Sequence, residues 1–222
     1  MKYKITLLAL LLSFIAFSQK SKIRTDDQYS FEAEYGLSLG SSPRIMDMEH
    51  WGISFRYMMD RNWGLKFDFA KDRFSEDVES VTVAGNYTRI SIQAVNNLGR
   101  TLNSMTMNGE RLGLLGHAGL GYSSLTSDQY TGTDNIMHLI IGLTPQYKIS
   151  NSFAVYVDAS YIMNYSQHLG FNGLYPNGVG PKTFTGSLVN ASLGISYYFG
   201  ESKSRSDWNS YGKDKDGNRN YD

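Results

Sequence analysis

The sequence predicts an all-β fold, an eight-stranded antiparallel up-and-down transmembrane β-barrel. From residue 30 to residue 200, segments of about ten residues alternate apolar with small or polar side chains, as tilted strands that cross an outer membrane do. The second face of these segments is mostly Gly and Ser, with isolated charges of both signs. Such a face favours a narrow closed lumen over the water-covered face of a β-sandwich, where Lys, Glu and Thr should abound.

The composition restricts the function classes before any segment is considered. The 222 residues include 21 Lys and Arg against 21 Asp and Glu, so the charge does not indicate a nucleic-acid partner. Cysteine is absent, which excludes a disulfide framework, a thiolate metal site, a cysteine nucleophile and a lipid anchor on an N-terminal cysteine. With 16 Tyr, 22 Gly and only 4 Pro, the composition favours many twisted strands.

Residues 1–18 have the features of a secretory signal peptide. Two lysines precede an apolar run, and the segment ends at Ser18. A membrane anchor is the weaker interpretation, because the run is shorter than the roughly 20 residues that span a bilayer as a helix. We expect cleavage after Ser18, an N-terminal periplasmic segment over residues 19–29, and the barrel over residues 30–200.

Each of the first four segments has a large apolar face. The first segment shows it at Phe31, Ala33, Tyr35, Leu37 and Leu39. The second shows it at Trp51, Ile53, Phe55, Tyr57 and Met59. The third follows a tight turn and shows it at Trp63, Leu65, Phe67 and Phe69, and the fourth at Ile90, Ile92 and Ala94. This period of two predicts four strands with one face toward lipid.

The last four segments, residues 112–122, 137–147, 153–163 and 189–199, repeat the pattern with more glycine. The eighth has its apolar face at Val189, Ala191, Leu193, Ile195, Tyr197 and Phe199. If these faces meet lipid, an open sheet edge would leave backbone groups unpaired in hydrocarbon. The eight strands are therefore expected to close into a barrel.

The connections give a second signal. Short breaks at 60–62 and 148–152 largely alternate with long polar breaks at 41–49, 73–85, 124–135 and 165–186. Short turns face the periplasm and long loops face outside in outer-membrane barrels. The stretch 96–110 is the exception, since it is too long for a tight turn.

Aromatic residues cluster at the ends of the segments. At the periplasmic interface we expect Trp63, Tyr147, Phe153, Tyr197, Tyr198 and Phe199, and at the opposite rim Trp51, Tyr122, Tyr161 and Tyr165. Rings with an apolar body and a polar edge favour the interface depth, so these residues predict two aromatic girdles. The lipids of the outer membrane are accordingly an expected partner.

Nine polar residues are expected to face the lumen. They are Glu32, Glu34, Arg56, Lys66, Asp68, Arg89, His117, His138 and Asp158. One interpretation is a path for ions or small solutes. The favoured one is a paired network that fills the barrel, because eight strands enclose an interior only just wide enough for side chains.

A lipid A-modifying hydrolase is the enzyme class to consider. His138 with Ser160, or His168 with Ser166, could supply the histidine and serine of a triad, but the chain offers many serines and no distinctive spacing. We therefore expect no catalytic residues and no cofactor.

Residues 201–222 lack apolar periodicity and predict a flexible polar periplasmic tail. Oxygen-bearing side chains alternate near its end, at Asp214, Asp216, Asn218 and Asn220. This resembles a calcium loop, but the bidentate Glu is missing, so we expect no metal site. Two large aromatics in such a segment, Trp208 and Tyr211, favour a tail that docks on a periplasmic partner.

Five stretches carry a family resemblance. They are NNLGR (96–100), RLGLLGHAGLGYS (111–123), GLTPQYKIS (142–150), HLGFNG (168–173) and FTGSLVNASLGISYYFG (184–200). The chain resembles the N-terminal barrel of OmpA-like proteins of Bacteroidota over residues 30–200. The resemblance implies a location in the Gram-negative outer membrane. The closing strand ends on Phe199, which resembles the signal by which the outer-membrane assembly machinery recognises its substrates. The family's peptidoglycan-binding residues have no counterpart here, so that activity is not carried over.

These expectations define a structural or accessory outer-membrane protein. The alternatives are a subunit of a larger outer-membrane complex, a small pore, and the hydrolase. Protein partners would contact the outer loops or the 201–222 tail.

Overall fold

The computed structural model describes residues 27–78, 80–104, 106–176, 182–200 and 206–208. The predicted signal peptide and nearly all of the predicted periplasmic segment lie outside the described residues, as do 201–205 and 209–222. The predicted calcium ligands and Tyr211 fall in this last range.

Eight antiparallel strands form the structure. They are β1 (Gln28–Ser41), β2 (Arg44–Met58), β3 (Trp63–Val78), β4 (Val81–Asn97), β5 (Leu112–Ser127), β6 (Thr133–Lys148), β7 (Phe153–Gln167) and β8 (Phe184–Phe199). Each strand pairs with the next and β8 pairs with β1, which closes the barrel. The closing seam runs from Tyr29 opposite Phe199 to Gly40 opposite Leu188 in one register. The predicted fold class is confirmed.

The strands extend beyond the predicted segments. We call the end at which Gln28 and Phe199 lie the termini end, and the other the distal end. Of the expected long loops, 41–49 and 73–85 are almost wholly strand, because β1–β2 and β3–β4 are joined only by residues 42–43 and 79–80. Likewise residues 128–132 and 168–183 are all that separates β5 from β6 and β7 from β8. These hairpins pair through backbone bonds that need no apolar alternation, so the pattern did not predict them.

The stretch 96–110 forms a short helix, α1 (Leu98–Thr101), at the termini end. The side chain of Asn97 caps it by accepting the Arg100 amide at 3.0 Å. Leu98 packs over Gly116 of β5, where a Cβ would lie 2.5 Å from the leucine side chain. Among the described residues, no helix is long and apolar enough to span a bilayer.

The outer wall is apolar between two aromatic belts. Phe31, Ile53, Ile141 and Leu193 expose 54 to 66 % of their surface in the band between them. The residues expected in the girdles that are exposed on this wall are Trp51, Trp63, Tyr122, Tyr147, Phe153, Tyr161, Tyr165 and Tyr197, and Phe199 is partly exposed. Tyr198, which was expected at the same interface, faces the lumen instead and is buried. Phe199 stacks on Tyr29 and Phe31 across the seam. Exposed apolar area of this extent requires a hydrocarbon environment.

Candidate functional site

The lumen contains a set of ion pairs that begins near the termini end. Arg56 Nε donates to Glu32 Oε1 at 2.7 Å, and Glu32 Oε2 accepts from Ser54 Oγ at 3.0 Å. Lys66 Nζ lies 3.6 Å from the same Oε2 atom. All four side chains are buried. Ser30 Oγ also donates to Glu32 Oε1, at 3.2 Å. The Glu32 carboxylate therefore has two cations and two hydroxyls in place of water.

Residues 206–208, which we call the docked segment, lie inside the termini end. Asp207 accepts two hydrogen bonds from the guanidinium of Arg56, at 2.8 and 2.9 Å, and one from the Tyr198 hydroxyl at 2.8 Å. Trp208 packs against Tyr198 and is 1 % exposed. The sequence predicts a flexible tail at this position, whereas these three residues are buried. Three residues are too few to show a period, so sequence patterning does not detect their burial.

Backbone groups of the docked segment are also bound by the barrel. Gln28 Oε1 accepts from the amides of Ser206 and Asp207 at 2.9 and 3.2 Å. Asn97 Nδ2 donates to the Ser206 carbonyl at 3.1 Å. Gly113 of β5 leaves the space for Trp208, since a Cβ there would lie 3.1 Å from the indole. The segment therefore contacts opposite sides of the wall.

A second cluster surrounds Asp158 on β7. His117 Nε2 lies 3.0 Å from Asp158 Oδ2, and Thr144 Oγ1 donates to the same oxygen at 2.7 Å. Ser160 donates to the other carboxylate oxygen. Asp158 is buried, so these three groups replace its hydration.

A third cluster lies farther toward the distal end and includes two residues that the sequence reasoning missed. His50 Nδ1 lies 2.8 Å from Asp72 Oδ1, and both side chains are fully buried. Arg89 approaches Asp72 and Asp68 at 3.5 Å each. Glu34 contacts this cluster through His50 Nε2 at 3.4 Å. Residues 50 and 72 continue the inward-facing alternation of β2 and β3 and could have been found by extending it, by one step on β2 and two steps on β3.

His138 belongs to a neutral hydrogen-bond cluster. Its Nδ1 lies 2.6 Å from Ser123 Oγ, and the Tyr87 hydroxyl bonds both Ser123 and Asn164, at 2.7 and 2.8 Å. A hydrolase built on His138 and Ser160 would need a hydrogen bond between these two side chains. The structure instead pairs His138 with Ser123, and Ser160 with Asp158.

An apolar cluster fills the distal end. Phe171 enters from the β7–β8 connection and packs with residues of the surrounding strands. Those neighbours are Ile45, Phe74, Tyr87, Leu125, Ile136, Ile140, Ile162, Leu169 and Leu188. Glycines make the space for Phe171: a Cβ on Gly85 would overlap its carbonyl oxygen, and one on Gly40 would lie 2.6 Å from its ring. We call residues 168–176 with this cluster the distal plug.

Asp134 fixes the start of the distal plug. Its Oδ2 accepts from the amides of His168 and Leu169 at 2.6 and 2.8 Å, and its Oδ1 lies 2.8 Å from His168 Nδ1. Within the described residues, Ser166 makes no hydrogen bond to His168. The second serine–histidine pair considered from the sequence therefore does not form.

The side chains that face the lumen are hydrogen-bonded or packed mainly against one another. In the described part of the chain, no three His, Asp or Glu side chains are grouped to hold a metal ion. The carboxylates that face the lumen are engaged by Arg, Lys, His, Ser, Thr or Tyr donors. These contacts join different strands across the filled interior of the barrel.

Comparison with known proteins gives matches at the level of fold only. No family model matches the chain. No curated protein matches it either. Among solved structures, Ail of Yersinia pestis, in complex with the heparin analogue sucrose octasulfate, is 20 % identical, with a TM-score of 0.49 over 78 % of this chain and 99 % of that one.

Two further solved structures have the same extent of match. The N-terminal β-barrel domain of Pseudomonas aeruginosa OprF is 19 % identical, with a TM-score of 0.46 over 78 % of this chain and 100 % of that one. A major outer membrane protein from Thermus thermophilus is 10 % identical, with a TM-score of 0.49 over 78 % of this chain and 99 % of that one. The class of the protein follows from its own geometry.

That geometry is a closed antiparallel barrel with an apolar outer band, aromatic belts and a polar interior. Backbone closure satisfies every strand edge, which a bilayer demands. The chain is an integral outer-membrane β-barrel protein, of the eight-stranded kind.

Proposed function

We propose that the protein is an OmpA-like outer-membrane barrel of Bacteroidota with a structural or accessory role and a lumen closed to solutes. The observation that carries the proposal is closure of the lumen at both ends. The docked segment fills the termini end, and Phe171, which is fully buried, fills the distal end. Between them, Glu32, Arg56 and Asp158 are held in ion pairs or hydrogen bonds.

The proposed orientation places the termini end in the periplasm, after removal of residues 1–18. The distal hairpins then project outside. The nine lumen residues predicted from the sequence have in this proposal the role of a structural network, and the aromatic belts hold the barrel at its depth in outer-membrane lipid. This role needs no cofactor.

Conductance in planar bilayers tests the closed lumen. We expect folded full-length protein to show no stepwise current. A variant that loosens both ends, Phe171→Ala with Asp207→Ala and Trp208→Ala, is expected to conduct, because the side chains that fill the two openings are gone. A heat-dependent shift in gel mobility should first show that each preparation is folded.

The contradicting result is a regular current step from the folded wild-type protein. If Arg56→Ala or Glu34→Ala changed the size of that step, the small-pore alternative would replace the closed lumen. The single change Arg44→Ala at the distal turn is the matched control, because Arg44 lies on the exposed start of β2.

Membership of a larger complex is the second candidate. Trp208 is buried by the protein's own barrel, so contact with a partner through this residue is not supported. The distal hairpins remain the surface through which partners would bind. Sizing in mild detergent tests this candidate: a particle at the mass of one chain plus detergent supports the independent barrel, and stoichiometric co-purifying proteins support the complex.

A lipid A-modifying activity receives no support from the contacts of His138, His168, Ser160 and Ser166. We propose that the protein has no catalytic role. An altered lipid A profile on overexpression, lost in His138→Ala or His168→Ala, would contradict this.

A further inference from the structure

The outer wall has a small cavity in its distal aromatic belt. Its volume is about 280 Å³, and we call it the rim cavity. It is lined by Tyr35, Glu49, Trp51, Lys71, Arg73 and Asn86. These residues come from four adjacent strands, because Tyr35 lies opposite Trp51, Trp51 opposite Lys71, and Arg73 opposite Asn86. The cavity is thus built by the register of the barrel wall.

The cations of the rim cavity lack adequate partners. Lys71 is partly buried and forms no ion pair or hydrogen bond with any described side chain. Among the described residues, Arg73 forms an ion pair with Glu49 alone, at 3.9 Å, and both side chains are at least half exposed. A pair of this length and exposure contributes little. Two cations and one carboxylate leave the cavity with a net charge of +1.

Positive charge at this depth is confined to one side of the barrel. On the outer faces of β4 to β8 near the distal belt, the described positions have no Lys or Arg and instead have residues such as Thr88, Ser124, Asn135 and Ser187. A general need for solubility at the rim would distribute charge around the wall. The two cations of β3 beside the rings of Tyr35 and Trp51 therefore indicate a local anionic ligand.

The depth of the rim cavity defines the chemistry of that ligand. Aromatic rings such as Trp51 and Tyr35 lie at the level of lipid headgroups. A lysine there packs its aliphatic stem along the apolar wall and extends its ammonium into the headgroup layer. Phosphate is an anionic group that most membrane lipids have at this level, and amide and cationic side chains donate to its oxygens. Lys71, Arg73 and Asn86 supply such donors.

We propose that the rim cavity binds the phosphate group of a membrane lipid. With the orientation given under Proposed function, on which this assignment rests, the lipid is a phosphorylated glycolipid of the outer leaflet. Trp51, whose ring packs against Phe69 at 5.6 Å, forms the apolar side of the site beside the acyl chains.

Retention of lipid A by the purified full-length protein tests the proposal. The protein is placed in phosphatidylcholine nanodiscs with lipid A or with dephosphorylated lipid A, and native mass spectrometry measures the lipid that stays bound. We expect wild type to retain the phosphorylated form selectively. The double change Lys71→Gln and Arg73→Gln should weaken retention about 25-fold, or about fivefold for each cation. Arg44→Gln, a distal cation outside the cavity, should retain it as wild type does.

Three results would overturn the proposal. They are equal retention of the dephosphorylated lipid, wild-type retention by the double variant, and full displacement by millimolar inorganic phosphate, which would indicate a site for free anions. Because both substitutions are on the outer wall, the variants should fold, and the gel-mobility shift verifies this. Retention does not depend on conductance, so failure of this site and failure of the closed lumen are distinguishable.

Discussion

Arg56 joins two parts of the molecule that are distant in sequence. Its Nε binds Glu32 on the neighbouring strand, and its two terminal nitrogens bind Asp207 of the docked segment. The guanidinium suits this role because its fixed fork can serve two carboxylates at once. The same guanidinium charge therefore offsets the cost of burying both the Glu32 and the Asp207 carboxylates.

Arg56→Ala should destabilise the barrel strongly. Removing the cation leaves Glu32 and Asp207 buried beside one another with Lys66 as the remaining cation, and breaking a buried pair costs about 3–5 kcal/mol. Unfolding by denaturant in detergent, followed by the gel-mobility shift, measures the loss. Arg73→Ala is the matched control and should cost less than about 1 kcal/mol, because its pair is exposed. Equal losses in the two variants would contradict the account.

The alternation of the sequence predicts which side chains face inward, and the structure places Glu32, Lys66 and Asp158 there. It does not predict their partners. Partners depend on the stagger of strands around the closed barrel, as in the pairing of His117 on β5 with Asp158 on β7. His50 and Asp72 were missed because they lie where the apolar alternation ends.

At the scale of elements, the distal plug is shaped by small residues in the wall. Gly85 on β4 lies against the Phe171 carbonyl, and Asp134 at the start of β6 binds the amides of residues 168 and 169. Side chains and backbone groups of several strands therefore hold the distal plug in place, although residues 168–176 themselves form no strand.

Gly85→Ala should displace the distal plug. The new methyl would overlap the backbone oxygen of Phe171, and relief requires movement of the connection at a cost of about 1–3 kcal/mol. We expect faster cleavage by protease between β7 and β8. Gly109→Ala is the control, since the nearest atom to its Cβ is 3.4 Å away. Cleavage at the wild-type rate in Gly85→Ala would show that the plug tolerates the methyl group.

The sequence predicts the number and order of the strands but not where they end. Apolar alternation is produced by lipid on one side, and it stops where β3 and β4 leave the lipid and continue as a hairpin to Val78 and Val81. Residues 98–101 show a further limit, because a single helical turn contains too few residues for a period.

At the scale of the whole molecule, both ends of the chain's barrel meet at one opening. Gln28 begins β1, Tyr198 nearly ends β8, and the docked segment binds both. The docked segment therefore links the first and last strands of the barrel and also occupies the lumen between them.

Fluorescence quenching of Trp208 measures whether the docked segment stays in place. In a Trp51→Phe, Trp63→Phe background, the remaining indole should be shielded from acrylamide because it is 1 % exposed. Asp207→Asn removes the charge that Arg56 binds and should increase quenching severalfold. Asp134→Asn, at the opposite end, should leave it unchanged. Strong quenching in the unaltered segment would contradict the burial of Trp208.

The binding site of the docked segment implies an order of assembly. Its walls are Gln28 on the first strand, Arg56 on the second and Tyr198 on the last, so the site exists only once the first and last strands have paired. Docking is then the final step of maturation. A chain still open at the seam would leave Trp208 exposed, so burial of this indole reports that the first and last strands have paired.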